Sequence, residues 1–110
     1  MIIADLMYAM RDKNHEALAA CFSDTCRLFD YCPQGIGRNN SFLYGSRAVD
    51  MYYHHMFVLG GLSILDPRIE NERNINFYSS YAGVIVHAIA SIETYDAETG
   101  RIKEMVIRPA

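Results

Sequence analysis

The apolar positions of this chain change their period along its length, and the changes divide it into elements. Ile3, Leu6, Met7 and Met10 recur at i, i+3, i+4 and i+7, which predicts an amphipathic first helix. Asp12-Lys13-Asn14 interrupts it. Asn14 is placed to cap a second, short helix whose buried stripe is Leu18, Cys21 and Phe22. Ser23-Asp24 ends that helix, and from 25 to 31 the period falls to two. The alternation predicts a strand with Cys26, Leu28 and Asp30 on one face and Arg27, Phe29 and Tyr31 on the other.

The stretch 33–41 holds Pro33, Gly35, Gly37 and two asparagines and reads as a loop. Gly35-Ile36-Gly37 lacks the further glycine, the lysine and the strand–loop–helix setting of a phosphate-binding loop, so it is a connector. Gly45-Ser46 opens a third helix with Ser46 as its N-cap. Val49, Tyr52, Tyr53, Met56 and Phe57 make the clearest helical stripe in the chain, and Gly60-Gly61 stops it. The rest is strand. One runs over 62–65, is disturbed at Asp66-Pro67 and resumes towards Glu72. Two more cover 75–81 and 84–95, joined by an Ala82-Gly83 turn, and the last covers 102–108. Three helices followed by a mostly antiparallel sheet make an α+β layout. The 110 residues suffice for one domain around one core.

Composition narrows the partners. Half the residues are apolar, which excludes a disordered chain, and the net charge of −3 comes with no basic run. Neither nucleic acid nor an anionic membrane surface would find a complementary field. No stretch approaches the ~20 apolar residues of a membrane span. The opening residues lack the basic start of a leader, so cytoplasmic residence is the expectation. Cys21, Cys26 and Cys32 are an odd set with no metal-site spacing, expected as reduced thiols. Only Cys32, in the loop, is a candidate for reactivity. No cofactor motif or metal site is expected. His54 and His55 are adjacent, but helical phase turns both away from the Val49–Phe57 stripe, towards solvent or an interface.

Three runs carry a resemblance over nearly the whole chain: Asn14…Leu18…Phe22-Ser-Asp…Asp30, the helix start Gly45-Ser-x-Ala48-Val49, and Thr99-Gly100-Arg101-Ile102 before the final strand. In order and spacing they resemble the nuclear transport factor 2-like superfamily, above all its SnoaL-like members, which include ketosteroid isomerases and scytalone dehydratases. The resemblance implies a cone-shaped, cystatin-like fold in which a curved sheet wraps a long helix around an apolar cavity. It also implies a homodimer through the sheet. By counting from Phe22, Asp30 takes the position of the isomerase's aspartate base, and Asp30-Tyr31 matches an Asp-Tyr pair of the dehydratase. The departures are as informative. Leu6 stands where the isomerase has its oxyanion-binding tyrosine, and Ser91 falls near its second oxyanion acid.

The carried-over position of Ser91 sets the expected phase of the 84–95 strand. Ile85, His87, Ile89, Ser91, Glu93 and Tyr95 would share the cavity face, Glu93 at its rim, and Val84, Val86, Ala88, Ala90 and Ile92 would form the dimer face. Asp30, His87 and Ser91 are therefore the candidate catalytic residues: a proton acceptor, a proton shuttle and a hydrogen-bond donor. Tyr31, Tyr44, Tyr53 and Tyr78 are the candidate contacts for a small apolar or aromatic ligand. Each residue also has a plainer role, as a turn-fixing aspartate, a satisfied core histidine or ordinary core tyrosines. Two functions follow: a lyase or isomerase acting on a small ring-bearing molecule, or a non-catalytic module that binds a small molecule or a protein partner.

Overall fold

Local chemistry sets where each element starts and stops. In the computed structural model, which describes residues 1–110, the first helix α1 (Ile2–Arg11) is followed by α2 (His15–Ala20) and β1 (Phe22–Asp30). Asn14 caps α2 as expected, its side chain accepting the Ala17 N–H at 3.0 Å. Phe22, expected on the second helix, instead begins β1, where it pairs with Ile102 and both are fully buried. After β1 comes a 3-10 turn (Pro33–Ile36), then β2 (Ser41–Tyr44), an element the loop-like composition of 33–41 concealed. α3 (Ser46–Val58) follows, with Gly45, not Ser46, in the cap position. Gly45 has φ 89, and a side chain there would lie 3.2 Å from the Asp24 carbonyl oxygen.

The remaining strands are β3 (Leu62–Ile69), β4 (Asn74–Tyr81), β5 (Val84–Tyr95) and β6 (Ile102–Pro109). Ala82 and Gly83 both have positive φ, 51 and 98, as a two-residue hairpin between right-twisted strands requires. β3 carries an irregularity between Leu65 and Arg68, where the sequence has Asp66-Pro67. All six strands form one sheet in the order β2-β1-β6-β5-β4-β3. Only β1 and β6 run parallel, and every other neighbouring pair is antiparallel. α1 and α3 cover one face of this sheet. Their stripes, Ile3 and Leu6 from one and Val49, Tyr53 and Phe57 from the other, are buried against it. No helix is long and apolar enough to cross a membrane.

The phase of β5 is the reverse of the expectation. Ala88, Ala90 and Ile92 are buried, and the register places Ala88 against Phe77 and Ala90 against Ile75 and Ile107, all buried as well. His87 and Ser91 therefore lie on the outer face of the sheet. Of the set expected to form a dimer surface, Ala88, Ala90 and Ile92 line the core, Val86 packs against it and Val84 is exposed. The strand's own pattern agrees with this phase, since His87, Ser91 and Glu93 share the outer face and the other face is apolar. The expectation is reversed because it takes its phase from the carried-over position of Ser91. On the inner face the alanines lie beside the larger Phe77, Ile75 and Ile107 of the neighbouring strands.

This phase makes a contrast that can be measured. Ala90→Lys buries an unpaired ammonium and should lower stability by roughly 3 kcal/mol or more, whereas Ser91→Lys should change it by less than about 1 kcal/mol. Urea unfolding of the two variants checks it, and similar losses would mean that the faces are assigned wrongly.

Candidate functional site

The inward row of β1 is Cys26, Leu28 and Asp30, so the pleat that buries two apolar side chains also carries in a carboxylate. Asp30 pairs with Ser41 of β2 and Ile107 of β6 and is 5% exposed. Beyond it the Tyr31 N–H still reaches the Ile107 carbonyl at 2.9 Å, and the chain then turns. Asp30 fixes that turn: its Oδ1 accepts the Cys32 N–H at 2.9 Å. Burial pushes the carboxyl from its ordinary 3.8 up to about 6, and the Cys32 N–H pulls it back only in part. Turn anchor and raised acid are thus one residue.

Asp30 opens on a hollow whose walls include Leu6, Met10, Tyr53, Phe77, Ser79 and Met105. The hollow measures about 10 Å³, room for about one water molecule. The roomy apolar cavity expected inside the cone is therefore almost filled by side chains. A cavity that holds benzene is on the order of 150 Å³, so a ring-bearing ligand enters only if some of these side chains move.

Three tyrosines surround the carboxylate. Tyr53 is buried on α3 and lines the hollow. Burial holds its hydroxyl well above the ordinary range, and the charge of Asp30 pushes it the same way. Tyr81, inward on β4 and buried, is raised by the same two causes in the same order. Tyr52 is half-buried, with its hydroxyl 2.8 Å from Ser41 Oγ. Burial raises it most, Ser41 offsets part of this, and the charges of Asp30 and Arg38 act on it in opposite directions. The Arg38 guanidinium lies 5.8 Å from the centre of the Tyr81 ring. Tyr52, Ser79, Tyr81 and Arg38 were not among the expected site residues. The alternation Ile75, Phe77, Ser79, Tyr81 along β4 was the available signal for two of them.

Of the expected residues, the structure brings Asp30 and Tyr53 together. The others face away. His87 is exposed on the outer sheet face, with Nε2 2.6 Å from Asn76 Oδ1 and its ring stacked on Tyr78 at 4.5 Å. Ser91 sits on the same face, between Asn74 and Val106. Tyr78 is cross-strand partner to His87 and so shares its direction. Tyr31 and Tyr44 join Phe29 and Phe42 in an aromatic cluster on the outside of β1 and β2. Their parity follows from Arg27 and Phe29, which pair with Tyr44 and Phe42 and alternate with the buried Leu28 and Asp30.

The cysteines are all free and buried, and burial pushes the Cys32 thiol up to about 12, so it is not a reactive thiolate. His54 and His55 are exposed, and His54 stacks on His15 at 4.5 Å, whose Nδ1 lies 2.6 Å from Asp50. No three His, Cys, Asp or Glu side chains converge on a point where they could hold a metal ion.

No family model matches the chain, and no curated protein matches it. Solved structures do. A nuclear transport factor 2-like protein of unknown function from Cytophaga hutchinsonii matches 99% of this chain and 87% of its own, at 12% identity and a TM-score of 0.67. A putative polyketide cyclase from Sinorhizobium meliloti matches 97% of this chain and 93% of its own, at 15% identity and a TM-score of 0.67. A SnoaL-like protein of unknown function from Burkholderia thailandensis matches 98% and 91%, at 12% identity and a TM-score of 0.64. The chain has the nuclear transport factor 2-like fold. Likeness at such low identity extends to the fold alone, and what this nuclear transport factor 2-like chain does has to be argued from its own residues.

Asp30 gives this site a measurable signature. Its carboxyl ionises near 3.8 when exposed and near about 6 in the fold, so between those values ionisation opposes folding. The stability this group confers is complete below the lower value and is lost as pH rises through the upper one, by roughly 3 kcal/mol in all. Asp30→Asn should remove that slope and leave the protein more stable than the parent at pH 7. Urea unfolding between pH 3.5 and 7.5 tests this, together with a carbon-detected NMR titration in which the Asp30 carboxyl should show a midpoint near 6.

Proposed function

We propose that this protein catalyses proton transfer on a small molecule with an acidic carbon, as an isomerase or lyase does, with Asp30 as the proton acceptor. The observation that carries the reading is the carboxylate itself. It is buried in an apolar hollow, Cys32 alone hydrogen-bonds to it, through its N–H and its thiol, and it shares the hollow with the hydroxyl-bearing side chains of Tyr53 and Ser79. With its carboxyl raised to about 6, Asp30 is mostly ionised at pH 7 and a stronger base than a surface aspartate. As it removes a proton from carbon, negative charge moves onto the substrate's carbonyl oxygen. Tyr53 and Ser79 are placed on the same hollow to donate to that oxygen, in the role first expected of His87 and Ser91. Met10 and Met105, unbranched and adaptable, are the wall residues suited to making room for a ring. The chemistry needs no cofactor. Three buried free thiols support a reducing compartment such as the cytoplasm.

The test is a panel of cyclic β,γ-unsaturated ketones, followed for double-bond migration and for deuterium uptake from solvent. Asp30→Asn should lower the rate by about 10²–10⁴-fold while the protein stays folded. Equal rates in parent and variant would sink the assignment of Asp30 as the base.

A second reading, a non-catalytic homodimeric module, is favoured by one observation. Phe42 and Tyr44 are 51% and 65% exposed and sit in one aromatic cluster with Phe29 and Tyr31 on the outer sheet face. Large apolar side chains gathered on the outside of a small domain suit a second copy of the chain. Sedimentation equilibrium should then give a dimer, and Phe42→Glu with Tyr44→Glu should give a monomer. A parent protein that stays monomeric at tens of micromolar would overturn the dimer.

A further inference from the structure

The segment between β1 and β2 carries a cation back to the end of the cone where Asp30 lies. It is anchored at its start by the Cys32 N–H on Asp30 Oδ1. It is cross-tied by the Gln34–Asn40 pair, with one contact at 3.1 Å and one at 3.0 Å. Gly37, with φ 76, reverses the chain so that the Arg38 N–H donates to the Pro33 carbonyl at 3.0 Å. The guanidinium thereby comes to lie over Tyr81, two residues along β4 from Ser79 of the hollow. Tyr52 feels both Arg38 and Asp30, one charge from the solvent side and one from within.

Arg38 is unspent. Arg11, Arg27, Arg68 and Arg108 each pair with a carboxylate, Arg73 donates to the Ile92 and Glu93 carbonyls, and Arg47 and Arg101, though unpaired, flank a surface groove that already holds Glu16 and Asp50. Arg38 has no ion pair and no side-chain hydrogen bond, so the donors of its planar fork are open. The chain as a whole carries −3. A guanidinium over Tyr81, beside a pocket that holds a carboxylate, is therefore a local reversal of sign.

We infer that the substrate of the Asp30 site carries a carboxylate, and that Arg38, over Tyr81 beside the pocket, is the residue that receives it. The inference rests on the proton-transfer reading of that site and adds the substrate class and its orientation. A guanidinium matches a carboxylate with two parallel hydrogen bonds. Asp30 repels the same group, so a substrate with an acidic carbon and a carboxylate can lie only one way round, its carboxylate outward and its reacting carbon inward. Attraction at one end and repulsion at the other orient the ligand without adding to the crowded walls.

The probes are 3-phenylpropanoate and its neutral isostere 3-phenylpropanamide, titrated into ¹⁵N-labelled protein at pH 7.5 and low salt. The acid should bind the parent at least tenfold more tightly than the amide, shifting the resonances of Asp30, Tyr53 and Ser79, and added salt should narrow the gap. R38Q should bring the two probes to parity with an unchanged melting temperature, because the side chain it removes is exposed and unpaired. R38K should keep part of the preference, and D30N should keep or widen it, since D30N removes the repulsion. Equal binding of acid and amide to the parent, or a preference that survives R38Q, overturns the role of Arg38 while leaving the pocket reading intact. Absence of shifts at Asp30, Tyr53 and Ser79 with either probe overturns both.

Discussion

The structure depends on one shared alternation. Six strands paired side by side must point the same set of side chains inward, so the register of each pair sets the phase of the next. The parallel pairing of β1 with β6 is the critical one, because it joins the hairpin side of the sheet to the rest. Leu28 against Met105 and Asp30 against Ile107 place four inward residues in two matched rows. A slip of one residue would turn Phe29 and Tyr31 inward and send Asp30 to solvent. The irregularity between Phe22 and Arg27 takes up the mismatch at the other end of β1, so the half that carries Asp30 stays in register.

Register brings Asp30 inside, and the turn keeps it there. Cys32, through its N–H and its thiol, is the carboxylate's one partner residue, which is enough to order the chain and too little to offset burial of a charge. The hydroxyls of Tyr53, Tyr81 and Tyr52 are coupled to that charge and are themselves held neutral by burial. A protein selected only for stability would do as well with asparagine here, since an amide oxygen can accept the same N–H. The ionisable group is what the turn does not need, and that is the physical ground for reading it as chemical equipment.

Much of this was legible in the sequence. The stripe Ile3, Leu6, Met10, the cap at Asn14, the phase of Cys26, Leu28 and Asp30, and the Ala82-Gly83 hairpin each follow from local rules and are found in place. Three features were hidden, each for its own reason. β2 is four residues long and follows a run of glycine and asparagine, so nothing in it separates a short edge strand from a loop. Phe22 fits a helix stripe locally but has Ile102 as its partner 80 positions away, a contact no local pattern contains. β5 bears Ile85 and Ile89 on one face and Ala88, Ala90 and Ile92 on the other. His87, Ser91 and Glu93 on the first face mark it as the outer one, a signal that the carried-over position of Ser91 overrode. His87 and Ser91 went to the wrong side for that reason, Tyr78 follows His87 as its cross-strand partner, and the filling of the hollow depends on side-chain volumes that no periodicity records.

The filled interior has a consequence for where chemistry can occur. With room for about one water molecule, substrate atoms reach Asp30 only by displacing part of the wall. The rigid walls are Leu6, on a helix stripe, and Phe77, held between paired strands. The yielding ones are Met10 and Met105, whose unbranched thioethers repack at little cost. The polar atoms of Asp30, Tyr53 and Ser79 gain nothing from a void and lose little when a ligand oxygen replaces water. A ligand would therefore exchange dispersion contacts with methionine for dispersion contacts with itself, close to neutral in energy. Its affinity would then rest on the polar groups at the site, so charge more than apolar surface should decide what this cone accepts.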